Sequence, residues 1–488
     1  MSDVSPATRL LVPATAAACA LVALAQLGAV PPLRHDFALN LWQYLPAWSA
    51  GLLGAASLAL CASKVRDAVA RGGGALRARA PTLRGVALHL LAFAALALLF
   101  WLLRERRLHG DSEILLFETG LGRAFHLKEM GSSFLLGTVV RPARAAELPH
   151  EQVVAWVQGA ICVVGALAVL LLHKVAARLA PGRAGAALLW ILSGGVLRIV
   201  AGHVEVYAFA LAGLALYLHL ALAHLDGRGS FVAASLALGL AIWMHLSALL
   251  LLPSLLALRL LDRRGHRARE LAVGLALAAL PSALFLGWQL GLEPSGWVAG
   301  LQRQLDRTLH GEIGAWSPRL WVRAWGDAPT AVTDYAFGSR AQLKYLINAT
   351  HLLVPGVLPV LLALALRGPR RFLATRTARF LCAAAVPLAI YPLVLRPIWG
   401  PFDWDLFAVS AVVLAALAVH GLAQATHEAT WRHLMVWIVG FGLLFVGLPF
   451  LWLGIAPARP AGPFADEEFS IELTRPGSPA HQRIAPWL

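Results

Sequence analysis

GVALHLLAFAALALLFWLL, residues 85–103, decides the fold class. Its nineteen residues hold no Asp, Glu, Lys, Arg or Pro. A helix of that length matches the roughly 30 Å hydrocarbon core of a bilayer. Just beyond it, RLHGDSEILLF (107–117) places Asp111 and Glu113 at the membrane edge. The juxtaposition returns in AGHVEVYAFA (201–210), with Glu205, and in WGPFDWDLFA (399–408), with Asp403 and Asp405. Carboxylates therefore stand at a helix end three times.

Similar apolar runs fill the rest of the chain. Its 488 residues are 59% hydrophobic and 14% charged, with a mean hydropathy of +0.69. An ordinary soluble domain is about 25% charged. The pattern predicts an all-α polytopic membrane protein of about thirteen transmembrane helices. They fall near 9–30, 45–63, 85–103, 152–172, 185–200, 204–224, 231–244, 246–261, 270–290, 346–366, 380–395, 406–424 and 434–453. The pair 231–261 reads either as two short helices or as one long tilted one.

The net charge of +15 does not point to nucleic acid, because Lys and Arg gather in short loops between spans. KVRDAVARGGGALRARAPTLR, HKVAARLAPGR, LDRRGHRARE and RGPRRFLATRTAR are such loops. The positive-inside bias puts them and the N-terminus in the cytoplasm. Every acid-bearing segment then faces outward. Cys19, Cys61, Cys162 and Cys382 stand singly in apolar runs, with no disulfide or zinc spacing.

Two outer loops are long. Residues 104–151 alternate charged residues with stretches such as SSFLLGTVV, which suits interfacial helices. Residues 291–345 carry Trp297, Trp316, Trp321 and Trp325, at headgroup level. The chain divides into two N-terminal helices (1–63), a transmembrane core (85–453) and a polar tail (454–488).

Acids near a membrane are expensive unless paired or functional. The turn holding Glu205 is short, so Glu205, His203 and Tyr207 stay close to the bundle; Glu205 also suits a helix N-cap. Asp403 and Asp405 flank Trp404 and could bind a hard cation, bind sugar hydroxyls or cap a helix. Arg198 and Arg396 end spans on the same side and suit phosphate, although Arg198 could equally pair with Glu205. His245 lies at another outer helix end. Mg or Mn could be held by Asp111, Glu113, Glu205, Asp403 and Asp405, but no spacing requires it. Nucleotide-binding, H-E-x-x-H and G-x-S-x-G patterns are absent from the sequence.

The order HGDSEILLF, two helices, then GHVEVYAF resembles the GT-C superfamily of polyprenyl-phosphate-sugar-dependent membrane glycosyltransferases. That superfamily includes the protein O-mannosyltransferase-like and lipid A aminoarabinose transferase-like branches. The resemblance covers residues 85–453 and implies a GT-C-like bundle whose first-loop acid activates the acceptor. That role falls on Asp111, with Glu113 beside it and Glu205 in the second core loop. Arg198, His203, Tyr207, His245, Arg396, Asp403, Trp404 and Asp405 are the expected substrate-binding residues. The implied partners are a polyprenyl-phosphate sugar, a lipid, glycan or protein acceptor, and membrane lipids. The implied site is extracytoplasmic, in a bacterial inner (plasma) membrane. A transporter or flippase for a polyprenyl-linked or anionic substrate is the alternative, and it requires polar residues at midplane.

Overall fold

In the computed structural model the run that opens the argument is a helix, Val86–Leu103, with Leu90, Leu91, Leu98 and Leu102 exposed. Only 6% of its membrane-length window is buried, against 89% for Trp404–Ala425. The first is a peripheral span whose leucines suit lipid, and the second is the centre of the bundle. The structure describes residues 41–62, 64–69, 71, 86–106, 108, 112, 115, 116, 119, 127–262, 267–292, 340–394 and 400–455. Among them every regular element is helical.

The expected count of thirteen spans is corrected. Among the described residues six helices are long and apolar enough to cross a membrane: Val86–Leu103, His150–Leu179, Tyr207–Leu225, Ala268–Gln289, Trp404–Ala425 and Glu428–Ile455. A seventh arises if the bent pair Tyr345–Leu353 and Val357–Leu366 is one span. Ala47–Leu60, Phe231–Met244 and Leu246–Leu261 are apolar but shorter. Segment 9–30 lies outside the described residues. Apolar composition marks a helix as buried in something, and it does not separate lipid from protein.

The ambiguous 231–261 pair is two helices. His224, at the end of Tyr207–Leu225, bonds the Gly229 carbonyl at 3.2 Å and lies 3.2 Å from Asp262. The start of one helix and the end of the other therefore meet, with the turn at His245 far away. His245 is extended (φ −155°, ψ 127°), which breaks the helical path.

Close packing rests on small residues, as expected where lipid offers no hydrophobic drive for helix association. Ala408–Ala425 (AVSAVVLAALAVHGLAQA) is almost entirely buried. A Cβ on Gly213 would lie 2.8 Å from the Ala241 Cα, and one on Gly165 would strike the Val200 carbonyl.

The expected helix 185–200 is broken into Ala184–Ile191 and Gly195–Val200. The break meets a second break, because a Cβ on Gly194 would lie 2.5 and 2.6 Å from the Leu352 and Leu353 carbonyls. That second break bends Tyr345–Leu353 and Val357–Leu366 by 103°, and Gly356 there has φ +78°. The buried Trp190 indole donates to the Pro355 carbonyl at 2.8 Å and ties the two together. The π-helical stretch Leu443–Gly447 closes over them, with Gly447 against the Ser193 carbonyl. Irregular backbone inside an apolar bundle is tolerated because protein surrounds it.

Gly165→Val should destabilise the bundle by roughly 1–3 kcal/mol or more, through overpacking against backbone. Gly185→Ala, with nothing within 4 Å, should leave the melting temperature in detergent unchanged. Equal melting of the two variants would refute this packing argument.

Candidate functional site

The chain leaves the Val86–Leu103 helix into Arg104 and Glu105, and its backbone is fixed at once. Gln158 donates to the Glu105 carbonyl at 2.8 Å, and the Arg106 amide donates to Gly454 at 2.8 Å. Arg104 folds back over Trp101, its guanidinium 3.7 Å from the ring centre. The turn after Gly195–Val200 then lies directly on this segment. Gly202 makes that approach possible: its φ is +85°, and a Cβ would sit 2.8 Å from the Arg104 Cβ.

The Glu105 carboxylate is the hub. Its Oε1 accepts the Val204 amide at 2.9 Å. Its Oε2 accepts Arg198 Nη2 at 3.1 Å and His203 Nδ1 at 2.9 Å. The far side of the same ring, Nε2, lies 3.1 Å from Asp405 Oδ2. Both ring nitrogens face carboxylate oxygens, so both must donate and His203 is an imidazolium. Burial pulls His203 down, but the Glu105 charge and the hydrogen bonds to Asp405 and Glu105 outweigh it and raise it to about 9. These two carboxylates and two cations balance in charge, and all of them are buried. Aromatic rings seal it. Arg198 lies 4.5 Å from the Phe450 ring centre, and Trp404 meets Phe450 edge-on at 4.7 Å and His203 at 5.4 Å. A Cβ on Gly195 would reach the Trp404 ring at 2.7 Å.

A second group adjoins it. His245 Nδ1 receives the Ser247 amide at 3.2 Å and lies 2.7 Å from the Ser247 hydroxyl. Accepting at Nδ1 makes this ring neutral, with its proton on Nε2. Burial lowers His245 to about 4, against the nearby Glu129 charge, which raises it, and with Lys128, which lowers it. The Tyr207 ring packs on His245 at 5.3 Å. The charges of Asp405, Glu205 and Glu129 all reach the Tyr207 phenol. Glu129 is brought there by the Met130–Ala145 helix, whose Ser132 donates to the Met244 carbonyl at 2.8 Å. The arrangement holds acceptors and one fixed imidazole proton beside a phenol, a set suited to hydroxyl groups.

Of the expected site residues, Arg198, His203, Tyr207, Trp404 and Asp405 converge, and Glu205 and His245 stand beside them. Arg198 pairs with Glu105 instead of Glu205. Glu205 does not cap the Tyr207–Leu225 helix, whose N-cap is Val206, although its carboxylate lies 3.4 Å from the Val206 amide. Trp404 is only 3% exposed, its faces occupied by packing. Asp111, Glu113 and Arg396 lie outside the described residues, as does the Asp403 side chain. Glu105 and Glu129 escaped the sequence reading. Glu105 is masked by its setting, RERR, which reads as a solvated juxtamembrane run; an acid two residues past a span was the available signal. Among the described residues no three His, Cys, Asp or Glu side chains are grouped to hold a metal ion.

Helices and buried polar end together define an all-α polytopic integral membrane protein. No protein-family model matches the chain, and no curated protein matches it. Among solved structures it is similar to the crystal structure of ArnT from Cupriavidus metallidurans bound to undecaprenyl phosphate, at 16% identity and a TM-score of 0.45. The match covers 71% of this chain and 62% of that one, less than two thirds of its length.

Glu105→Gln should destabilise the protein by about 3–5 kcal/mol, because Arg198 is left buried without its anion and Asp405 alone faces two buried cations. The network also sets a pH dependence. His203 is raised above its usual 6.5, so its stabilisation is complete below that value and is lost as pH rises through about 9. Melting curves of the wild type should show this alkaline loss, and His203→Gln should not; identical profiles would reject the imidazolium.

Proposed function

We propose that the chain is a membrane glycosyltransferase, moving a sugar from a polyprenyl-phosphate donor to an acceptor hydroxyl on the extracytoplasmic face. The observation that carries this reading is the gathering of Glu105, Glu129, Glu205 and Asp405 from four distant segments around His203 and Tyr207 at one end of the bundle. Such a density of buried carboxylates beside a membrane is costly, and chemistry on a polyhydroxyl substrate gives it a purpose.

Asp111 accepts the proton of the acceptor hydroxyl, with Glu113 next to it. The freed oxygen attacks the anomeric carbon, and the bond from that carbon to the phosphate oxygen breaks. Polyprenyl phosphate leaves with the electron pair, and a single displacement inverts the anomeric centre. A positioned base typically contributes about 10²–10⁴-fold. The donor phosphate falls to Arg396, since Arg198 is enclosed by Phe450 and committed to Glu105. Tyr207, His245, Glu205 and the Asp403–Asp405 pair hold sugar hydroxyls. Trp404 and His203 set the position of Asp405 by packing and by hydrogen bond.

The test is to incubate the purified protein with a panel of polyprenyl-phosphate sugars and measure released polyprenyl phosphate. Release that depends on an acceptor supports the transferase. Movement of the intact donor across proteoliposomes without release establishes the transporter instead. Asp111→Asn should reduce release by about 10²-fold or more with the fold intact. Retention of over about a tenth of normal release excludes Asp111 as the base.

A further inference from the structure

The chain path breaks at His245, between Phe231–Met244 and Leu246–Leu251, and the ring turns back onto the residues that follow it. Its Nδ1 lies 3.2 Å from the Ser247 amide and 2.7 Å from the Ser247 hydroxyl. A backbone N–H can only donate, so Nδ1 carries no proton and the hydroxyl donates to it as well. Ser247 thus fixes the tautomer twice. The ring's one proton stands on Nε2, and among the described residues no hydrogen bond is made there. With the side chain only 4% exposed, that donor needs an acceptor to offset its lost hydration. The ring is also held in place. Tyr207 packs against it with ring centres 5.3 Å apart, and the Leu127–Glu129 turn lies on Leu246–Leu251. Ser132 ties the preceding residue, accepting no freedom there, by donating to the Met244 carbonyl at 2.8 Å. The acceptor therefore has to come to the ring.

We propose that His245 donates a hydrogen bond from Nε2 to an uncharged oxygen of the bound sugar, and that Ser247 is the positioning residue that keeps the ring in this donor form. A phosphate oxygen is the other acceptor that an N–H could serve. Anion sites gain most from charged donors, and a ring locked neutral at Nδ1 offers a phosphate no charge. A sugar hydroxyl or ring oxygen asks only for a directed proton, which is what this geometry supplies. The tautomer follows from the Ser247 contacts alone, whereas the identity of the ligand as a sugar rests on the glycosyltransferase reading.

The experiment measures dissociation constants of the full chain in detergent for polyprenyl phosphate carrying mannose, glucose, galactose or arabinose, and for the same polyprenyl phosphate without a sugar. In the wild type one of the sugars should tighten binding over the bare lipid phosphate. His245→Asn keeps an oxygen where Nδ1 accepts the Ser247 amide, so the melting temperature should hold. It removes the donor, and the sugar-dependent gain should fall about tenfold, as expected for one hydrogen bond, with the bare lipid phosphate bound as before. His245→Gln extends an amide N–H to the place of Nε2 and should recover most of the gain. Ser247→Ala leaves only the amide on Nδ1 and should weaken sugar-dependent binding by about threefold. A gain kept in full by His245→Asn overturns the inference and leaves the transferase reading standing. Equal weakening of the bare lipid phosphate does the same, because it assigns the contact to the phosphate. A wild type that binds every sugar-bearing lipid no better than the bare phosphate overturns both.

Discussion

A single carboxylate, that of Glu105, holds the functional end of this molecule together. It accepts from Val204, His203 and Arg198, and through His203 it reaches Asp405 in the last described turn before the central helix. Buried charges are tolerable only when neutralised and hydrogen-bonded; Glu105 and His203 are both, while Arg198 is paired through Nη2 and leaves its Nε buried without a hydrogen-bond partner. The contribution of the set is register more than raw stability. The first long loop, the 201–206 turn and the 400–407 turn cannot shift independently without stranding a charge away from water.

Two histidines at the same end show how environment divides identical side chains. His203 lies between two carboxylates and is cationic, whereas His245 accepts from Ser247 and is neutral. The difference lies in what the ring nitrogens meet, because burial is nearly equal, at 2% and 4% exposure. An imidazolium locks a network in place. A neutral ring keeps one N–H available to donate.

The fold class was legible in residues 85–103, and the gathering of buried polar side chains at one end was foreshadowed by the recurrence of acids at helix ends. His203, Tyr207, Arg198 and Asp405, singled out at helix ends in the sequence, do lie together, because the turns that carry them hold side chains against the bundle. Span number was not legible, since Gly194 and Pro355 break helices through contacts made with one another, and no one-dimensional window contains both. Glu105 was missed for a related reason. Its partners are 93 and 98 residues away, while its neighbours in sequence are arginines that suggest a solvated run.

Those separations bear on how the protein is made. Glu105 enters the membrane region before Arg198 and His203 are synthesised, and Asp405 and Gly454 follow later still. The nascent chain must therefore carry an unmatched acid at the bilayer surface, shielded by water or by the insertion machinery. Only when the helix that carries Gly454 has been threaded can that acid be sealed away, so closure of the Glu105 network is a post-insertion event.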